Sequence, residues 1–274
     1  MSRFMRFLPL LALLMTPFAH ATDDQPCAPS VIAAVASWAG IKGNLASWDA
    51  DQDGLIAAAS CKAMPNAPST TIAALAFDTK HEGPGADDGS KEQVVALVEA
   101  DKVVAADRST IEEDALTEVG SYRIDTAPYV LAPGVRAFGV VFTSSARGPS
   151  CPDASAEQEL TLWLRDGNKL RAVLGTNLDG WVSTEGTACG AGTGDARSES
   201  AHLTIAVEKT AHHGFVDLSL TATITQTQRK NGDYSDTGKR VERTVLTYDG
   251  TSYGNDMFRN FWYPKSVRQQ WGLQ

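Results

Sequence analysis

The sequence predicts a mainly β protein of antiparallel meander sheets, sandwich-like in arrangement, with a small N-terminal α-helical cap. Three observations carry that expectation: long stretches alternating with period two, tight-turn dipeptides closing such stretches, and an alanine-rich lead-in whose composition favours helix. In "ELTLWLRD", Leu160, Leu162 and Leu164 alternate with Thr161, Trp163 and Arg165. "HLTIAVEK" puts Leu203, Ile205 and Val207 on one face, with His202, Thr204 and Glu208 on the other. "FVDLSLTATITQT" sets Val216, Leu218, Leu220, Ala222 and Ile224 against Asp217, Ser219, Thr221, Thr223 and Thr225. One dry face and one wet face is the pattern of an antiparallel sheet covered on one side. Asp166-Gly167 and Asp249-Gly250 are favourable turn dipeptides after two of these runs.

Taken in order, residues 1–21 read as a signal peptide. Arg3 and Arg6 are a positive lead, Phe7 to Phe18 is apolar, and Ala19-His20-Ala21 offers a small-x-small cleavage site, so the mature chain is expected to begin near Thr22. The apolar stretch is too short for a membrane-spanning helix, and no transmembrane segment is predicted further on. The expected location is therefore the periplasm or the medium. Residues 22–68 form the predicted cap: one helix within Val31 to Trp48, interrupted near Gly40 and Gly43, and a second in "LIAAASCKAM" that ends before Pro65.

Residues 69–256 are the predicted β-domain, and an internal echo runs through it. Strands near 71–78, 93–99 and 103–107 are followed by a similar succession at 136–143, 158–165 and 169–174, and by a looser third from 201 to 249. Repeated meanders suit a sandwich, with propeller-like blades as the alternative. Residues 257–274 carry Phe258, Phe261, Trp262, Tyr263 and Trp271, a tail expected to pack over the end of the sheet because so large an apolar patch is rarely left exposed.

Composition excludes some partners. The 274 residues hold 24 Lys and Arg against 33 Asp and Glu, a formal net charge of −9; removing Arg3 and Arg6 with the signal makes it −11. Such a chain repels phosphate backbones, so no nucleic-acid partner is expected. Four cysteines in an exported protein point to two disulfides, and pairing neighbours gives Cys27 with Cys61 and Cys151 with Cys189.

The segment "DADQDGLIAAAS" resembles an EF-hand calcium loop. Asp49, Asp51 and Asp53 occupy its first, third and fifth positions, Gly54 the turn, Leu55 the carbonyl ligand and Ile56 the aliphatic eighth position. The twelfth position, normally a bidentate carboxylate, is Ser60, so a weak calcium site is expected; the alternative is an Asp-rich turn joining two helices. No HExxH, GxSxG or GxxxxGK[ST] motif occurs, and His202, His212 and His213 fit no spaced metal signature.

"CKAMP" at Cys61 to Pro65, then "TIAALAFD", then "YRIDTAPYVLAPGVRAFGVVF" from Tyr122 to Phe142 together resemble uncharacterised secreted proteins of Gram-negative bacteria with a Cys-Lys-x-x-Pro element before a β-rich body. That resemblance implies an envelope location and β-structure and carries over no active-site residue. The functional expectation is a non-catalytic binding or envelope-associated module whose partner is an envelope protein or a small ligand. The alternative is a secreted hydrolase whose residues meet only in three dimensions.

Overall fold

A computed structural model of the protein describes residues 25–47, 54–79, 89–186 and 194–273. The expected signal peptide therefore lies outside the described residues. Helix α1 (Pro29–Ala39) is the one helix of the expected cap that forms. Proline near its start suits the free first turn, and Gly40, at φ 74°, takes the left-handed cap that lets the Gly40 and Ile41 N–H groups close on the Ser37 and Ala36 carbonyls.

The second expected helix is a strand. β1 (Ile56–Met64) pairs antiparallel with β2 (Ala67–Phe77) from Ile56 opposite Phe77 to Met64 opposite Ala67. Alanine's helix preference is worth only tenths of a kcal/mol per residue, and an isolated helix this short is marginal. Pairing along the buried strand β2 overrides it.

The sheet continues through β3 (Ser90–Glu99) and β4 (Lys102–Glu112); next along the chain come β5 (Val119–Asp125) and a separate small hairpin of β6 (Val130–Ala132) with β7 (Val135–Arg136). β8 (Phe138–Ser144), β9 (Ala154–Asp166) and β10 (Lys169–Glu185) follow, and then the long ribbon of β11 (Ala196–His212), β12 (Phe215–Lys230) and β13 (Asp233–Leu246). Helix α2 (Lys265–Trp271) closes the order. The three predicted echoes coincide with the antiparallel meanders β2–β3–β4, β8–β9–β10 and β11–β12–β13. They share one sheet curled into a nearly closed barrel, in place of two stacked layers.

Around the barrel the order is β1-β2-β3-β4-β10-β9-β8-β5, with β4 and β10 parallel at Ala106 and Lys169. β5 returns to lie against β1 without a ladder between them. Gln25 seals that seam. Its Nε2 donates to the Ile124 carbonyl (3.0 Å), its Oε1 accepts the Ile124 N–H (2.6 Å) and the Ser60 hydroxyl (2.8 Å), and its own carbonyl accepts the Cys61 N–H (2.8 Å). The Cys27–Cys61 disulfide fixes this segment two residues on. Cys151 is also disulfide-bonded; the residue paired with it by the sequence reading, Cys189, lies outside the described residues.

The free edge of β10 between its contacts with β4 and β11 is filled by the C-terminal segment. Val173 accepts from the Tyr253 N–H, Gly175 donates to Gly254, and Asn177 donates to Met257. Gly175 makes this approach feasible, because a Cβ there would sit 3.1 Å from the Asn255 carbonyl oxygen. Arg259 donates to the carbonyls of Gly175 and Gly254 and pins the segment. Further on, Trp262 is buried among Val182, Leu203, Ala222 and Ile224, so the expected packing of the tail holds there, while Phe258 is exposed.

Three apolar layers result. α1 covers the outer face of β2 and β3 through Val35 and Ala36 against Leu75, Phe77 and Val94. The β6–β7 hairpin, Tyr248 and Tyr253 cover Leu160, Leu162 and Leu164 on the outside of β9. Inside, Ile72, Leu97, Ile124, Phe138, Trp163 and Leu170 meet from six strands. The wet face expected for β9 is thus partly dry: Trp163 is buried in the barrel interior. The same correction applies to Asp217 and Ser219 of β12, both buried; Asp217 accepts a hydrogen bond from Thr210 at 2.7 Å and contacts His212 Nδ1 at 2.8 Å. A barrel strand covered on its outside, such as β9, is buried on both faces, and alternation alone does not register the second one.

Candidate functional site: the barrel mouth

Side chains at inward positions fill one half of the barrel and leave the other half open. Ile72, Leu97, Ile124 and Phe138 close the filled half. Above them a cavity of about 210 Å³ is walled by Val95, Tyr122, Val140, Phe142, Glu159 and Trp163, with Thr161 beside them and Met257 of the C-terminal segment at its border. Each wall residue follows from strand alternation: Val95 and Leu97 on β3, Tyr122 and Ile124 on β5, Phe138, Val140 and Phe142 on β8, Glu159, Thr161 and Trp163 on β9.

The wall is mostly apolar, and its polar atoms are unusual. The Tyr122 hydroxyl and the Trp163 indole N–H are buried and have no hydrogen-bond partner among the described residues. Leaving such a donor unmade in a protein interior costs about 1–3 kcal/mol each. Burial also pushes the Tyr122 phenol far above its ordinary range, so it stays protonated. Burial raises the Glu159 carboxyl from its usual value as well, and no hydrogen bond or ion pair joins it to a described residue. Tyr122 and Phe142 lie with ring centroids 5.8 Å apart and planes tilted by 49°.

On β3, Lys91 is buried between Asp78 (3.5 Å) and Glu113 (2.9 Å). An ammonium with two carboxylates about it leaves that cluster without net positive charge. On β4, Asp107 stands opposite Val95 in the register, hence on the inward face, and burial raises its carboxyl too.

The residues singled out by sequence fall elsewhere. Asp49, Asp51 and Asp53 lie outside the described residues, whereas both flanks of their loop are anchored: Leu55 donates to the Asn44 carbonyl and Ile56 to Ala46. The Leu55 carbonyl accepts the Asp78 N–H at 2.9 Å, and Ser60, the twelfth position, is buried on β1 with its hydroxyl turned to Gln25. Among the described residues no three metal-ligating side chains converge. His202 pairs with Asp179 at 2.6 Å on the exposed face of β11, while His212 pairs with Asp217 at the far end of that strand, so these imidazoles form no group.

Sequence reasoning missed the cavity. The signal available was Trp163 and Tyr122 in inward register with Phe142 and Val95, and it becomes legible only when the strand order is known. No family model matches this chain, and no curated protein or solved structure matches it, so the site is read from its own chemistry.

Proposed function

We propose that this protein is a non-catalytic, extracytoplasmic binding protein that holds a small, mostly apolar molecule in the mouth of its barrel. The observation that carries the reading is the pair of buried donors without partners, Tyr122 Oη and Trp163 Nε1, on residues that wall an otherwise apolar cavity. A ligand oxygen that accepted from either would relieve a penalty the free protein bears, which is the design of ligand pockets: apolar walls with a few polar groups that orient the guest. Size sets the class. An apolar cavity of about 150 Å³ admits benzene with its six non-hydrogen atoms, so the volume here, about 210 Å³, suits roughly eight to nine. At about 0.5–0.7 kcal/mol per such atom, a nine-atom ligand binds with a Kd of roughly 0.02–0.5 mM.

The test is a tryptophan-fluorescence titration of the mature protein with 2-phenylethanol, a nine-atom molecule with one acceptor oxygen. Saturation is expected in that concentration range, and Thr161→Phe, which fills the cavity, should abolish it while the melting temperature holds. No saturable change up to about 10 mM, or unaltered binding in the filled variant, would overturn the reading.

A further inference from the structure

We propose that the molecule held in the barrel mouth is a small organic cation, an ammonium on an apolar body, with Glu159 as its counter-charge and the Tyr122, Phe142 and Trp163 rings as its walls. The inference rests on the cavity reading above and adds the sign of the ligand's charge. Three observations point the same way.

Glu159 stands directly opposite Phe142 in the β8–β9 register, so its carboxyl shares the inward face with that ring. It is half-buried in the cavity wall and makes no hydrogen bond or ion pair with a described residue. A carboxylate so placed is poorly compensated, and a neutral guest would remove more of its water without replacing it.

The walls complement a cation. Aromatic rings carry negative faces that attract ammonium groups, and cages of two or three rings with a carboxylate are the usual means of holding them in a desolvated site. Tyr122, Phe142 and Trp163 all border this cavity, and the tilt between Tyr122 and Phe142 keeps the two rings from covering each other's faces.

Among the described residues no positive side chain is paired with the carboxyl. Lys91 is held by Asp78 and Glu113, and Asp107 adds a second carboxyl to the inward face of the barrel. The charge environment of the barrel mouth is therefore negative, in keeping with the formal net charge of −9 for the whole chain. An anion would meet the Glu159 carboxyl and three ring faces, with only the neutral donors of Tyr122 and Trp163 in its favour. Burial raises both Glu159 and Asp107, the shift expected where no cation already neutralises them.

The experiment compares 2-phenylethylammonium, 2-phenylethanol and phenylacetate, three molecules of similar size with charges of plus one, zero and minus one. Each is titrated at pH 8 by calorimetry into the mature protein. The cation should bind about tenfold more tightly than the alcohol, the scale of a partly desolvated ion pair with cation–π support, and phenylacetate more weakly than either. In Glu159→Gln the ratio of cation to alcohol affinities should fall to about one, and Glu159→Asp should restore a preference for the cation. Equal affinities for cation and alcohol, or a preference that survives Glu159→Gln, would overturn the charge assignment and leave the cavity reading standing. If none of the three binds, both fall together.

Discussion

Gln25→Ala should open the barrel seam. This residue does between β1 and β5 what a strand ladder does elsewhere: its amide donates to the Ile124 carbonyl and accepts from the Ile124 N–H and the Ser60 hydroxyl. Ile124 is 1% exposed and Ser60 2%, so their polar groups have no ready access to water once the amide is gone. Each orphaned group costs about 1–3 kcal/mol, and partial water entry relieves some of it, so the loss is about 3–5 kcal/mol. For a domain of this size that is a fall in melting temperature of roughly 6–20 °C. Differential scanning calorimetry gives the magnitude, and amide hydrogen exchange gives the place, with β1 and β5 losing protection before β3 or β9. Gln25→Glu refines the test. At neutral pH its carboxylate still accepts from Ile124 and Ser60 but opposes the Ile124 carbonyl; at low pH the protonated acid can donate, so the deficit relative to wild type should shrink as pH falls. A melting temperature within 2 °C of wild type for Gln25→Ala, or exchange that rises evenly over all strands, would refute the seam argument.

Other expectations follow from the same packing. Replacing Cys27 and Cys61 by serine removes a crosslink spanning 34 residues, worth about 4 kcal/mol by loop-closure entropy, and thermal melts should show a large fall together with easier exchange along β1. Trp262→Ala empties a site only 1% exposed beneath the β11–β12 ribbon and should destabilise by about 3–5 kcal/mol in urea titrations, with its largest exchange effects in β11 and β12. Asp249 accepts from the Thr251 hydroxyl and from the N–H groups of Thr251 and Ser252, which hold its carboxyl down to about 2. A depressed carboxyl stabilises the fold above its unfolded value near 4 and loses that effect as pH falls toward 2, so the gap in melting temperature between wild type and Asp249→Ala should close over that window.

Much of the architecture was legible in the sequence, and the failures have physical causes. β9, β11 and β12 announce themselves because Leu160, Leu162, Leu203, Leu218 and Leu220 alternate with polar neighbours and do bury their apolar face. The echo of strand spacings anticipated the three meanders, because strands consecutive in the chain tend to pair with each other. What alternation does not encode is how meanders join. The link between β4 and β10, the tail segment along Val173 to Asn177 and the Gln25 seam are all contacts between residues far apart in the chain. "LIAAASCKAM" misleads for a related reason: its alanines prefer helix locally, and the neighbouring strand β2 decides otherwise. The candidate site was hidden for the same cause. Trp163 reads as an outward residue among Thr161 and Arg165 until the curl of the sheet turns that face inward, beside Tyr122 from a strand some forty positions earlier.

The central claim, a half-filled barrel whose unpaired donors await a guest, is tested most directly at the Trp163 indole. In a nitrogen–proton NMR spectrum of the protein from Thr22 onward, assigned with Trp163→Phe, saturating 2-phenylethanol, whose oxygen can accept from the indole, should move the Trp163 Nε1–H resonance and slow its exchange, leaving the indole of exposed Trp38 where it was. A Trp163 signal that stays fixed and exchanges at its original rate, at ligand concentrations well beyond the expected Kd, would contradict the account.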